Sequence, residues 1–574
     1  MRHESDEGAT VVGTRCGATH YGFAPMRLRR LSILTVLLAT LCAPAAYASG
    51  DQASIMMDDD QLLYRNNVTQ TRTLVTMRSM GVDAVRATVL WRIVAEGADL
   101  SNREIERIKG EKNRDRARAQ RARFKATDPR TYPTRNWDRY DNLVKEATKL
   151  GMRVFFTLTG PGPGYAHKIA PSNQRLNAGT YRPYPSRFRS FAEAVGKRYS
   201  GLYKDENAIR RVLPRVSLWS LWNEPNQAGW LSPQWEKVDG VNVPVAPMLY
   251  RELHQAGVQG LERSGHGNDS ILLGETAPLG SDKTGPTNGL RPVPFLREML
   301  CLKPDGTPYD GADAARRRCQ DFVKNPTLKA TGFAHHPYTK KAAPTIAPKN
   351  PEEITIANIG TLGPILDTLA AQSGGKMAAD LPIFLTEFGY ESVPDPRNGI
   401  PLMRQAEFNQ LAEFLAYNDP RVAATTQFLL KDAAPLRRSP ITNRAYRVGS
   451  REYWFTYQSG LFYQNDQPKP AVLAYGLPLV IGVARRDGAG GGTVNVWGQL
   501  RFRPNGAQGD TVQLLFRPEG STQYTATGDP IPVTSPFGYF TAQRSAPASG
   551  TWRAVWSGSA APTFFVSREV KVQF

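Results

Sequence analysis

Between Ser54 and Pro478 the chain alternates short apolar runs with stretches in which apolar residues return every three or four positions, the pattern of parallel strands joined by amphipathic helices. The runs come in order as Ser54-Ile-Met-Met57, Ala84-Val-Arg-Ala-Thr-Val-Leu-Trp91, Arg153-Val-Phe-Phe-Thr-Leu-Thr159 and Val216-Ser-Leu-Trp-Ser-Leu-Trp222. Ile271-Leu-Leu-Gly274, Gly332-Phe-Ala-His335, Pro382-Ile-Phe-Leu-Thr386 and Ala424-Thr-Thr-Gln-Phe-Leu-Leu430 follow, making eight. A helix is expected from Trp137 to Leu150, where Tyr140, Leu143, Val144, Ala147 and Leu150 share one face. Eight such units predict an α/β chain folded as a (β/α)8, or TIM, barrel over residues 49–478. The largest insertion, a charged helical stretch at 101–125, follows the second strand.

The texture changes after Pro478. A glycine-rich run, Gly488 to Gly492, is followed by Val494-Asn-Val-Trp497, Thr511-Val-Gln-Leu-Leu-Phe516, Thr551-Trp-Arg-Ala-Val-Trp556 and Glu569-Val-Lys-Val-Gln-Phe574. These alternate apolar and polar residues and are separated by turn formers, which predicts a small antiparallel β-sandwich over 479–574. Alternation puts Trp552, Ala554 and Trp556 on one face, the expected interior, and leaves Trp497 as either core or sugar platform.

The N-terminus reads as a processing segment. Arg27, Arg29 and Arg30 precede an apolar stretch from Leu31 to Leu41, and Ala46-Tyr47-Ala48 has the small-x-small form of a cleavage site. The expectation is a start at Met26, cleavage after Ala48 and a secreted, extracellular product. The apolar stretch is too short for a membrane-spanning helix. Cys16 and Cys42 would be lost with residues 1–48, which leaves Cys301 and Cys319 as an even pair and favours one disulfide.

The net charge is +20, and +18 without residues 1–48. Residues 101–135 hold twelve Lys and Arg against five acids. A surplus of this size permits weak association with anionic cell-wall polymers, while a solvated basic insertion is the plainer reading. No nucleic-acid motif accompanies it. No His/Cys cluster has zinc-ligand spacing, and no metal or cofactor is called for.

Two motifs carry chemistry. Leu221-Trp-Asn-Glu-Pro-Asn226 closes the fourth strand and Leu385-Thr-Glu-Phe-Gly389 the seventh, at the strand ends where barrel enzymes keep their catalytic groups. Together they resemble the acid/base and nucleophile segments of glycoside hydrolase clan A, the retaining β-glycosidases that include cellulases and β-xylosidases. The resemblance covers about residues 52–478 and implies a β-linked carbohydrate substrate, with Glu224 as acid/base and Glu387 as nucleophile. The chemistry agrees with the pairing, because double displacement needs two carboxyl groups roughly 5 Å apart. Two close like charges divide the labour, one acid staying protonated while the other is ionised.

The resemblance extends to a supporting set. Asn223 would contact the sugar 2-hydroxyl, and Arg86, in Val85-Arg-Ala-Thr88, would keep Glu387 ionised. In His336-Pro-Tyr338, Tyr338 would donate to Glu387 and His336 would line the sugar site. His335 reads as structural, and Glu275 as a loop anchor. Trp91, Tyr165 and Trp230 are candidate stacking platforms, with burial in the core as the competing reading. Two departures weaken any choice of substrate. The eighth strand ends Gln427-Phe-Leu-Leu-Lys-Asp432 without the clan's usual tryptophan, and the third ends Thr159-Gly-Pro-Gly-Pro-Gly-Tyr165 without polar sugar ligands. An inactive glycan-binding barrel and a wall-associated binding protein remain as alternatives.

Overall fold

A computed structural model describes residues 52–574 apart from 173, 175–178, 209, 325–326, 440–441, 489, 503–508 and 558–563. The expected leader lies outside the described residues. Eight parallel strands form the first part: β1 (Ala53–Met57), β2 (Ala84–Leu90), β3 (Arg153–Thr159), β4 (Leu218–Leu221), β5 (Ser270–Thr276), β6 (Gly332–His335), β7 (Ile383–Phe388) and β8 (Val422–Phe428). Each pairs with the next, and β8 pairs with β1 to close the barrel. Between Trp137 and Leu150 a helix runs Asp138–Lys149, with Tyr140, Leu143, Val144 and Ala147 buried against the strands. Among the described residues no helix is long and apolar enough to cross a membrane.

The barrel interior is layered. Ile55, Ala84, Phe155, Leu218, Leu272, Ala334 and Ala424 form an apolar plug, with Phe384 packed against it. Because side chains in a strand alternate, the residue two further along points the same way. In β2, β3, β4 and β7 those residues are Arg86, Thr157, Ser220 and Thr386, and past the end of β6 it is His336; all five are buried. Apolar residues thus fill the bottom of the barrel, and a polar layer caps them at its C-terminal mouth.

The insertion after β2 forms two helices, Asn102–Glu106 and Glu111–Arg123. The first is capped reciprocally by Ser101 and Glu104, and the second buries none of its residues. Arg118 of the longer helix pairs with Glu106, Glu111 and Asp115. Surface pairs of this kind hold a solvated helix but add little to global stability. Between β5 and β6, Cys301 and Cys319 form a disulfide with Cα atoms 5.8 Å apart.

The second part is a β-sandwich. One sheet contains β9 (Leu479–Arg486), β10 (Gly492–Gln499) and β12 (Tyr539–Ala546), in the order β9-β10-β12. The other is built on β11 (Thr511–Pro518) and β13 (Gly550–Ser557), which pair with each other, while β14 (Phe564–Val566) and β15 (Val570–Val572) pair with β13. Trp552, Ala554 and Trp556 lie in the shared core, the face their alternation predicts. The glycine-rich run sits between the antiparallel β9 and β10 rather than ahead of the first sandwich strand. Trp497 lies on the opposite face from the core, packed on Phe414 and Tyr417 of the barrel helix Leu402–Tyr417. Arg501 completes this joint. Its buried guanidinium donates to both oxygens of Glu413 at 3.0 and 2.9 Å, to Ser54 Oγ at 3.0 Å and to the Tyr475 carbonyl at 3.0 Å.

Candidate active site

The polar layer is wired around two buried groups, Arg86 and Glu275. Arg86 donates to Glu387 Oε1 at 2.6 Å, Asn223 Oδ1 at 2.9 Å, Thr157 Oγ1 at 3.0 Å and Glu275 Oε2 at 3.3 Å. Its guanidinium is held charged: burial opposes the charge, and the Glu275 and Glu387 carboxylates outweigh burial. Since Asn223 turns its carbonyl oxygen to Arg86, its NH2 remains as a donor.

Glu275 was read from sequence as a loop anchor, and the structure corrects this. Strict alternation would put Gly274 with the inward set and turn Glu275 away. Instead the β5–β6 register shifts between Gly274 and Thr276, Glu275 takes a left-handed conformation with φ of 50°, and its side chain enters the barrel. There it accepts from Arg86, from Thr386 Oγ1 at 2.6 Å, from His336 Nε2 at 2.7 Å, from Thr157 Oγ1 at 3.3 Å and from Ser220. Burial pushes its pKa up, but the Arg86 charge and the His336 and Ser220 hydrogen bonds prevail and hold it at about 2. Its backbone still ties the loop after β4, because Glu224 N donates to Glu275 O at 2.9 Å.

Glu224 follows the end of β4, with φ of 37°. Its loop is fixed two residues on by Asn226, which is buried and bonds the Ala277 N–H and carbonyl and the Leu290 carbonyl. Glu387 lies near the end of β7, where the pairing with β8 slips between Thr425 and Gln427. Tyr338 donates to Glu387 Oε2 at 3.2 Å and stacks on Phe388. His336 bridges the acids, with Nδ1 2.9 Å from Glu224 Oε1 and Nε2 2.7 Å from Glu275 Oε2. Both ring nitrogens therefore face carboxyl oxygens, which calls for an imidazolium. Burial lowers its pKa, but the Glu387 charge and the bonds to Glu224 and Glu275 raise it to about 10. His335 turns the other way, bonded to Thr276 and the Ile354 carbonyl, and burial lowers its pKa to about 3.

One ligand atom from each of Glu224, His336 and Glu387 falls within 4.8 Å of the others. As a cation site the set is poor, since His336 is committed through both nitrogens and Arg86 already balances Glu387. As a pair of acids it is well built. Glu224 and Glu387 keep 20 and 11% of their side-chain surface exposed, while Arg86, Glu275 and His336 keep none.

The aromatic candidates fare differently. Trp91 is fully buried, stacked on Phe191 at 5.3 Å and packed on Phe188, so the platform reading is replaced by core packing. Tyr165, half-buried, packs against Trp91 and Phe124. Trp230 is half-buried in the loop after β4, and its carbonyl accepts from Trp222 Nε1. Besides Tyr338, the phenol of Tyr457 lies close enough to feel the charges of both acids, and the sequence reading missed it. It is 57% exposed and packs edge-on to Phe428 at the end of β8. Although much of the side chain is open, desolvation of the phenol on its protein side, and then the charges of Glu224, Glu387 and Glu391, raise its pKa. Tyr457 comes from a loop some thirty residues beyond β8, and no motif marks it. Asp59, just past β1, is another such residue. It accepts from Thr88 N at 3.1 Å, and burial pushes its pKa to about 6.

No protein-family profile and no curated protein matches this sequence. Among solved structures, the chain is similar to a family 39 glycoside hydrolase from the gut symbiont Bacteroides cellulosilyticus WH2, with 12% identity, 87% of this chain and 80% of that chain covered, and a TM-score of 0.42. A glucosidase from Croceicoccus marinus gives 12%, 87% and 95%, and 0.44. A monomeric β-xylosidase from Caulobacter crescentus CB15 gives 13%, 82% and 84%, and 0.41. At such identities and scores the likeness carries no argument about activity, which has to rest on the site itself.

Proposed function

We propose that the protein is a retaining β-glycosidase that cleaves a β-linked glycan or glycoside by double displacement. The observation that carries this reading is that Glu224 and Glu387, at the ends of β4 and β7, each bring one carboxyl oxygen to within 4.8 Å of the other's. So close an approach favours the short separation of a retaining pair over the wider one that an inverting enzyme needs for its water. Arg86 and Tyr338 both point donors at Glu387, which fix its carboxylate in place as the nucleophile.

In the first step Glu387 attacks the anomeric carbon while Glu224 gives its proton to the departing glycosidic oxygen. In the second, Glu224 takes a proton from water as that water attacks the same carbon and releases Glu387. The NH2 of Asn223 is available to the sugar 2-hydroxyl throughout, and such a bond strengthens as positive charge builds on the ring. Tyr457 supplies an exposed ring face where the clan's tryptophan is missing.

The n-region, apolar stretch and Ala46-Tyr47-Ala48 site, together with the Cys301–Cys319 disulfide, support export to an oxidising compartment. The helix Glu111–Arg123, with no buried residue, supports loose, salt-sensitive association with anionic wall polymers.

Glu224→Ala tests the assignment. It should slow aryl glycosides with poor leaving groups by about 10²–10⁴-fold while sparing activated ones, and azide should restore turnover. Equal losses on both substrate types would remove Glu224 from the acid role. Glycan binding with no turnover on any β-glycoside would favour the inactive-barrel alternative.

A further inference from the structure

The sandwich has a second face to account for, the one turned away from its core. Along β9, β10 and β12, Leu479, Val494, Val496 and Phe540 enter the interior. Alternation therefore puts Val480, Gly482, Asn495, Trp497, Thr541 and Gln543 together on the opposite side. The register lines them up in two rows across the sheet, Val480–Trp497–Thr541 and Gly482–Asn495–Gln543. The barrel helix Leu402–Tyr417 walls one side, and Asn418 stands at its end. The groove so formed has a volume of about 650 Å³, well within the range of ligand sites. It lies toward the N-terminal end of the barrel, because Asn418 shortly precedes β8, whereas the acids stand at the C-terminal ends.

We propose that this groove binds a segment of an uncharged glycan, independently of the catalytic site. Its chemistry selects that ligand. None of the twelve described residues that line it is charged, in a chain where 22% of residues are, so an anionic polymer finds no counter-charge there. Tyr417 offers a half-buried ring, held by Trp497 at 5.5 Å and Tyr539 at 4.8 Å. A ring fixed in this way presents an apolar face of the kind that packs on sugar C–H groups. Beside it, Gln543 Nε2 donates to Asn495 Oδ1 at 2.9 Å. That bond fixes both amides and leaves the Asn495 NH2 as donor next to the Gln543 carbonyl as acceptor, a match for hydroxyls that both donate and accept. A lipid chain, with neither donor nor acceptor, would gain nothing from such a pair.

Gly482 makes the test clean. A Cβ there meets nothing within 4 Å, and the backbone is not left-handed. A larger side chain would therefore enter the groove and not the protein. The full chain carrying Glu387→Gln, which cannot turn over, is to be measured for retention on insoluble cellulose, β-mannan and arabinoxylan, at low and high salt. At least one should retain it, with no dependence on salt. Adding Gly482→Ile should weaken that retention about tenfold, and Asn495→Ala with Gln543→Ala should do the same by removing the hydrogen bonds. Melting temperatures of the parent and of both variants control for folding. Retention that neither change alters, that vanishes with salt, or that no glycan produces would overturn the proposal. So would a solution dimer that Gly482→Ile breaks, since the groove would then be a protein interface.

Discussion

Two buried arginines divide this molecule into a part that can react and a part that only holds. Arg501, at the joint of barrel and sandwich, meets both oxygens of Glu413, the Ser54 hydroxyl and a carbonyl. Charge and hydrogen-bonding capacity close on each other there, so the group is spent on structure. Arg86, at the barrel mouth, meets two carboxylates that belong to different environments. Glu275 beneath it is wholly buried and takes five donors, whereas Glu387 accepts from Arg86 and Tyr338 and still keeps part of its side chain exposed. A buried arginine therefore signals no function by itself. What marks the mouth is that one of its two partners is left facing solvent beside a second acid.

The comparison breaks most visibly at Glu387. Glu387→Gln should cut turnover by about 10⁴-fold or more and leave the melting temperature near that of the parent, because the amide still accepts from Arg86 and Glu275 still balances it. A large loss of stability with intact activity would reverse the contrast. Next in size is Arg501→Met, which strands Glu413 in the joint. Breaking a buried pair from one side costs about 3–5 kcal/mol, so thermal unfolding should move well down while the folded fraction keeps its turnover number.

The smallest effect sharpens the account of the charges beneath the acids. His336 has its pKa raised to about 10. The stability it contributes is thus full below the ordinary value of about 6.5 and is lost as pH rises through about 10. Glu275, held at about 2, contributes stability that is present above its ordinary value and lost only as pH falls toward 2. Glu275→Gln removes one anion from His336, so the alkaline loss of melting temperature should begin at lower pH in the variant. A melting curve whose alkaline limb does not move would show that the Glu275–His336 contact is not the one that holds the proton.

How much of this was legible in the sequence depends on whether alternation or a local irregularity placed each side chain. The eight strands follow from short apolar runs between helical stretches, whereas Arg86 on β2 and His336 just past β6 were legible through the resemblance, and alternation then accounts for their inward direction. Glu224 and Glu387 were legible only as motifs, because the backbone around each departs from regular geometry, by a positive φ at Glu224 and a slip in β7–β8 pairing. Glu275 had neither aid: no motif marks it, and the β5–β6 irregularity that turns it inward has no clear signature apart from Gly274. Trp91 failed for the opposite reason. A tryptophan at a strand end suits a platform or a core equally, and Phe188 and Phe191, about a hundred residues on, make it core. Tyr457 lay in a loop, where position is set by contacts such as its carbonyl accepting from Ala433 N and not by any period.

The central claim, that Glu387 forms a bond to the sugar, is tested most directly by trapping that bond. A 2-deoxy-2-fluoro β-glycoside with an activated leaving group slows the second step more than the first, so the intermediate accumulates. Mass spectrometry of the digested protein should then find one glycosyl unit on the peptide containing Glu387, and none in Glu387→Gln. A label on any other residue, or a product that first appears with inverted configuration, would contradict the account.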